Sequence, residues 1–247
     1  MGFLPVFLLL VLSAPRAAAA YRETVSPGGG VVAGVVRYAG TIQGTPMIPA
    51  TRDVRLFGNK LPDESLLVSR DHGLQNVLIT LDGISAGKAW PHVVPRLLYQ
   101  QGRLIPRLQV ARRGQEIEVL NQDRTLHTVS LSEVGQSLFN IALPQQYPVT
   151  RIPLSSAGIF NIRCVIHEWM AAWIAVLSHP YFAITAADGR YEISDVPPGT
   201  YRLSAWHERL GRLVRWVSVT GEPALHVDLE FGELPVTPSA TKKEGTP

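Results

Sequence analysis

One thiol, two imidazoles and a thioether stand where they could meet. Cys164 is the one cysteine of the chain, and it opens the run Cys164-Val165-Ile166-His167-Glu168-Trp169-Met170. Thiolate, imidazole and thioether therefore recur at steps of three. A second imidazole, His127, lies upstream in Asn121-Gln122-Asp123-Arg124-Thr125-Leu126-His127, after a strand-like run. Two His and one Cys, with a Met as a long and weak axial donor, form the donor set of a blue-copper site. Thiolate is soft and favours Cu(I), whereas imidazole holds both Cu(I) and Cu(II). An axial thioether adds little bonding, so the geometry need change little when an electron enters or leaves.

Other uses of these residues fit less well. A cysteine or methionine taken singly is most often buried filler, but once the first residues are set aside only Met47 and Met170 remain, and Met170 falls in register with Cys164 and His167. Structural zinc takes four strong donors, and thioether is not one of them. A binuclear copper centre needs a second cysteine. A Cys/His hydrolase needs a base that can take the nucleophile's proton while substrate sits between them, which a His three residues away on one tight loop does poorly. With no evident catalytic acid–base pair, the sequence argues against an enzyme. The rival to an electron carrier is a copper-binding or interaction module without redox turnover, such as a copper chaperone or an accessory subunit.

The elements that must position these donors read as β-strands. Phe160, Ile162 and Cys164 share one face and Asn161 and Arg163 the other, which carries the thiol on a core-facing register to the strand's end. The chain then turns through His167 and Met170 and returns as the apolar run Ala171 to Leu177. Gln115 to Leu120 alternates Ile117 and Val119 with Glu116 and Glu118, Asn76 to Leu81 aligns Val77, Ile79 and Leu81, and Val31 to Tyr38 is Val-rich. No stretch has a long helical period, so the expected class is all-β, a sandwich. Three donors on one loop and a fourth on a neighbouring strand would then meet at one end of two rigid sheets.

The segment from about Pro106 to Ser178 resembles the copper-binding half of a cupredoxin. Its spacing of Cys, two residues, His, two residues, Met is similar to that of the amicyanin loop. Residues 29–232 resemble bacterial methylamine-utilisation or cupredoxin-like proteins, in which a carboxypeptidase-regulatory-like β-module follows the copper domain. The resemblance implies a Greek-key cupredoxin β-sandwich over residues 29–178, with an N-terminal β extension and its ligand half at 106–178. A smaller β-sandwich over 181–232 would be docked on it. It also implies His127, Cys164, His167 and Met170 as ligands of one copper, in a one-electron carrier that meets a redox protein partner such as a cytochrome or dehydrogenase. Many cupredoxins have Asn after the upstream His, tying the two ligand loops together. This chain has Thr128, whose hydroxyl reaches less far than an amide.

The C-terminal module carries its own signals. Asp188-Gly189 between Phe182-Ala183-Ile184 and Tyr191-Glu192-Ile193 predicts a two-residue hairpin. Pro197-Pro198-Gly199 turns the chain into Thr200 to Trp206, and Val214 to Val219 and Leu225 to Phe231 read as further strands. About fifty residues are marginal as a domain alone, and the link Ser178-His179-Pro180 is short. The module is therefore expected to dock rigidly and to take up a strand from the N-terminal part.

Composition limits the partners. The 247 residues include 23 Lys+Arg and 20 Asp+Glu; the cations are scattered and give no basic face for nucleic acid. Phe3 to Leu12 is an apolar run followed by Ala17 to Ala20, the pattern of a signal peptide over 1–20 with cleavage before Tyr21. The run is short for a membrane span, so the expectation is a periplasmic protein without membrane insertion after cleavage, a retained anchor being the minor alternative. A single cysteine in an oxidising compartment needs protection, which burial and copper would give. Residues 233–247 read as a disordered tail. His72, His92, His179, His207 and His226 form no close pairs and are expected in surface or structural roles. Trp169 is expected to pack the ligand loop, with an exposed docking role as its alternative.

Overall fold

The computed structural model describes residues 20–24, 28–42, 44–133, 135–145, 149–221 and 224–232. The leader expected over 1–20 falls, except for Ala20, outside the described residues, as does the tail 233–247. Among the described residues no helix is long and apolar enough to cross a membrane.

The protein is all-β, built as two sandwiches. In the first, a five-stranded sheet runs in the order Gln136–Leu143, His127–Glu133, Gly158–Arg163, Ala171–Leu177, Leu108–Arg112. A four-stranded sheet faces it, in the order Thr150–Pro153, Glu116–Asn121, Arg96–Gln100, Arg103–Ile105. The alternation read from the sequence sets the core: Ile117 and Val119 meet Phe160, Ile162 and Ile174 in one apolar cluster. Cys164 and Met170 belong to that same cluster.

The second sandwich has one sheet of Phe182–Ile184, Leu78–Asp82, Gly199–His207 and Gly211–Val219. Its other sheet joins Arg190–Val196, Gly30–Tyr38 and the short strands Leu225–His226 and Leu229–Phe231. Val32, Val36, Ile79, Leu81, Leu203 and Phe231 fill the space between them. The strands of the 29–178 segment thus divide between the two bodies. Gly30–Tyr38 and Leu78–Asp82 pair with C-terminal strands, while those from Arg96 onward build the first sandwich.

Two local expectations change. The turn at Asp188-Gly189 forms, with Gly189 N–H donating to Ala186 C=O and Ala186 N–H to Arg190 C=O, but the strands beyond it form no ladder with each other. Phe182–Ile184 joins Leu78–Asp82, and Arg190–Val196 joins Gly30–Tyr38. The turn crosses between sheets because both flanks find longer partners already in place. The single strand expected over Leu225 to Phe231 is interrupted at Val227-Asp228. Val227 N–H bonds Ala33 C=O and Asp228 Oδ1 accepts the Val35 N–H, so the run follows Gly30–Tyr38 in two pieces.

The bodies meet over Leu78, Leu108 and Ala175, with Trp173 and Trp206 packed edge to face at 5.0 Å. Arg107 forms a two-pronged pair with Glu208, Nε to Oε1 and Nη2 to Oε2 both at 2.7 Å. Trp173 Nε1 donates to the same carboxylate at 3.0 Å.

Candidate metal centre

His127 begins its strand and Cys164 follows directly on the neighbouring strand Gly158–Arg163. The loop after Cys164 closes on itself: Cys164 N–H donates to Met170 C=O at 3.2 Å, and Met170 N–H to His167 C=O at 2.9 Å. That closure brings His167 back beside the thiol. His127, Cys164 and His167 form one buried group whose donor atoms all lie within 4.8 Å of one another. Nδ1 of His127 and Nδ1 of His167 are 3.0 Å apart, and they lie 3.7 and 3.5 Å from Cys164 Sγ. A point equidistant from the three lies about 2 Å from each, the length of a transition-metal bond to imidazole or thiolate. Met170 is buried in the same apolar cluster as Cys164, and its carbonyl and amide brace the loop.

The outer nitrogens decide what the inner ones present. His127 Nε2 lies 3.1 Å from Asp123 Oδ2, and His167 Nε2 lies 2.8 Å from Asp53 Oδ2. A carboxylate only accepts, so each Nε2 carries a proton, and a ring that is neutral then turns its Nδ1 lone pair inward. Two lone pairs and a thiolate at these separations repel one another unless a proton or a metal ion lies between them. Carboxylates behind the rings of metal-binding His are the usual means of fixing tautomer and orientation. The residues present therefore fit a single metal ion.

Burial alone would push the Cys164 thiol up, but bonds from His127, the Thr128 N–H and His167 bring it down to about 6. It is thus mostly thiolate at neutral pH, the form that binds metal. For His127, burial opposes the charge, yet Asp123 and the thiolate hold its pKa above the ordinary imidazole value. Thr128 does tie the ligand segments together: its hydroxyl accepts the Val165 N–H at 2.8 Å, and its own N–H reaches Sγ at 3.4 Å.

Aromatic rings close the site. Tyr99 lies against His127 with centroids 4.8 Å apart and donates its hydroxyl to Thr128 C=O. Trp169 packs edge-on to His167 at 5.1 Å, with Nε1 donating to Gly102 C=O at 3.0 Å. This is the packing role; His167 itself is 0% exposed, so it offers no bare imidazole edge to a partner. His92 is exposed and outside the group.

Sequence reasoning missed Asp123, Asp53 and Phe57. Asp123 carried a usable signal, four residues before His127 in a polar turn. Asp53 and Phe57, in a loop far upstream, carried none, because only the fold brings them over the site.

No family model matches the chain, and no curated protein matches it. Solved structures similar to it include a purple cupredoxin from Nitrosopumilus maritimus, with 18% identity over 34% of this chain and 99% of that one and a TM-score of 0.30. Amicyanin from Paracoccus versutus shows 13% identity over 36% of this chain and 85% of that one, with a TM-score of 0.32. A copper-containing nitrite reductase from Thermus scotoductus shows 20% identity over 36% of this chain and 24% of that one, with a TM-score of 0.30. Likeness of this degree decides nothing about the chain; the donor geometry stands by itself.

Proposed function

We propose that the chain holds one copper ion between His127, Cys164 and His167, with the Met170 thioether as a weak fourth donor. On this reading it is a one-electron carrier between redox proteins in the periplasm. The observation that supports the reading most is the pair of carboxylates, Asp123 and Asp53, which turn two imidazole lone pairs toward one thiolate. When bound, copper supplies the Cu(II)/Cu(I) couple. Asp123 and Asp53 hold the rings, Thr128 joins the strand of His127 to the loop of Cys164, and Tyr99, Phe57 and Trp169 keep water out.

Softness at sulfur and a buried thioether nearby favour copper over zinc. His127 and His167 are fully buried and Cys164 and Met170 nearly so, leaving no open position where a substrate could bind. That burial favours a carrier over a catalyst. The signal-peptide pattern read over 1–20 is the support for the periplasmic assignment, and a cytochrome or dehydrogenase fits as the partner. The second sandwich, 181–232 completed by N-terminal strands, serves as a structural or interaction unit.

Titrating purified mature protein with Cu(II) tests this. The expected result is an intense visible thiolate-to-copper band that saturates at one ion per chain and bleaches and returns with one-electron reduction and reoxidation. Colourless, weakly held copper would replace the carrier with a non-redox copper-binding module.

A further inference from the structure

His167 is covered by a segment more than a hundred residues upstream. Met47–Pro49 and Lys60–Pro62 pair as an antiparallel ribbon, and the loop between them holds the one-turn helix Val54–Phe57. Asp53, at the N-cap of that turn, makes no capping bond, although capping is the common use of Asp there. Its backbone is left-handed, with φ at 49°. A local preference set aside at a non-glycine residue marks a position held by its surroundings. Here the Asp53 carboxylate is turned instead to the site, where one oxygen accepts from His167 Nε2 at 2.8 Å and from the Thr125 hydroxyl at 2.9 Å. Four residues on, the Phe57 ring packs edge-on against His167 at 5.4 Å and stacks on His127 at 6.2 Å. Behind it, Gly102 leaves the space this ring needs: a Cβ there would lie 3.0 Å from Phe57 Cδ1. An ion pair between Glu64 and Arg103 ties the far end of the segment to the first sandwich. Asp53 keeps 42% of its side chain exposed while His167 has none, so the carboxylate stands between that imidazole and solvent.

We propose that residues 53–57 are a latch on the metal centre. Asp53 is a positioning residue that fixes the His167 ring with Nδ1 inward, and Phe57 bars water and small anions from the ion. The proposal rests on the metal reading above, but its first test needs no metal. In the apoprotein, the His167 Nε2 proton, followed by imidazole 15N–1H spectroscopy, should exchange slowly with solvent. It should exchange much faster in Asp53→Ala and in Phe57→Ala. Asp53→Asn keeps an oxygen that can accept this bond and should restore slow exchange.

The second test uses copper-loaded protein and sodium azide. The wild-type visible spectrum should not change with azide, whereas Phe57→Ala should develop new azide-dependent bands. Asp53→Ala should lower copper affinity by about 10- to 100-fold, the range for loss of a partner behind a metal-binding His. Equal ring-proton exchange in wild type and both alanine variants, or an azide response in wild type, would overturn the latch. A wild type that never develops the visible band would instead remove the copper assignment and leave the ring-proton result to judge the latch. Circular dichroism of each variant separates loss of the latch from loss of the fold.

Discussion

At the scale of single residues, the centre depends on a thiolate held ready by its neighbours. The Cys164 pKa is drawn down to about 6 while that of His127 is held above the ordinary imidazole value, so metal uptake should level off only where both have lost their protons. It should weaken by at least about tenfold per unit once pH falls below 6, because protons then compete for sulfur and imidazole. Equilibrium titration with Cu(II) from pH 5 to 8 measures this. Cys164→Ser should abolish the visible band at every pH; an unchanged spectrum would remove the sulfur from the site. Cys164 and His167 stood out because the chain has one cysteine and they recur with Met170 at steps of three, and His127 because it follows a strand-like run; the structure gathers His127, Cys164 and His167 into one buried group. Asp53 did not stand out, since an aspartate in a loop has no pattern to show that its partner is a histidine 114 positions later.

Among elements, strand alternation was readable wherever one face is buried. The strand ending at Cys164 delivers its thiol from the core side as its pattern requires. Pairing was harder to read. Asp188-Gly189 announces a reversal, but nothing local says that its two flanks enter different sheets. That choice belongs to Gly30–Tyr38 and Leu78–Asp82, far upstream. The turn is also fixed from outside: Gly189 has φ of 80°, and a Cβ there would come within 2.3 Å of Val36 O. Gly189→Ala should therefore cost about 2 kcal/mol or more, read as a lowered midpoint in thermal or urea unfolding. A change below about 0.5 kcal/mol would mean that the turn relaxes freely.

Across the whole molecule, the two sandwiches are coupled through a nearly buried ion pair. Glu208→Ala leaves the Arg107 guanidinium without its carboxylate and takes an acceptor from Trp173. It should destabilise the protein by about 3 kcal/mol, and Glu208→Gln by less, both measured by urea unfolding. Next to this pair lies His207, buried and accepting the Arg209 N–H at Nδ1. Burial, with Arg209 and Arg107 nearby, lowers its pKa from 6.5 to about 4. Between those values the unfolded chain binds more protons than the folded one. The stability from a neutral His207 is thus complete above pH 6.5 and is lost as pH falls toward 4, by about 3 kcal/mol in all. His207→Asn keeps an acceptor but does not titrate, so its unfolding midpoint should vary less across this window; equal pH dependence in both proteins would assign the acid sensitivity elsewhere.

The division of strands bears on how the chain is made. Since Gly30–Tyr38 and Leu78–Asp82 find their sheet partners among the described residues from Phe182 onward, the sandwich that holds the His127–Cys164–His167 group is an insertion inside the other one. A nascent chain on the ribosome can finish the inner body while two largely apolar strands still wait for partners. Stalled synthesis or proteolysis after Leu177 would leave those strands bare, so the fragment should aggregate even though every proposed ligand is present.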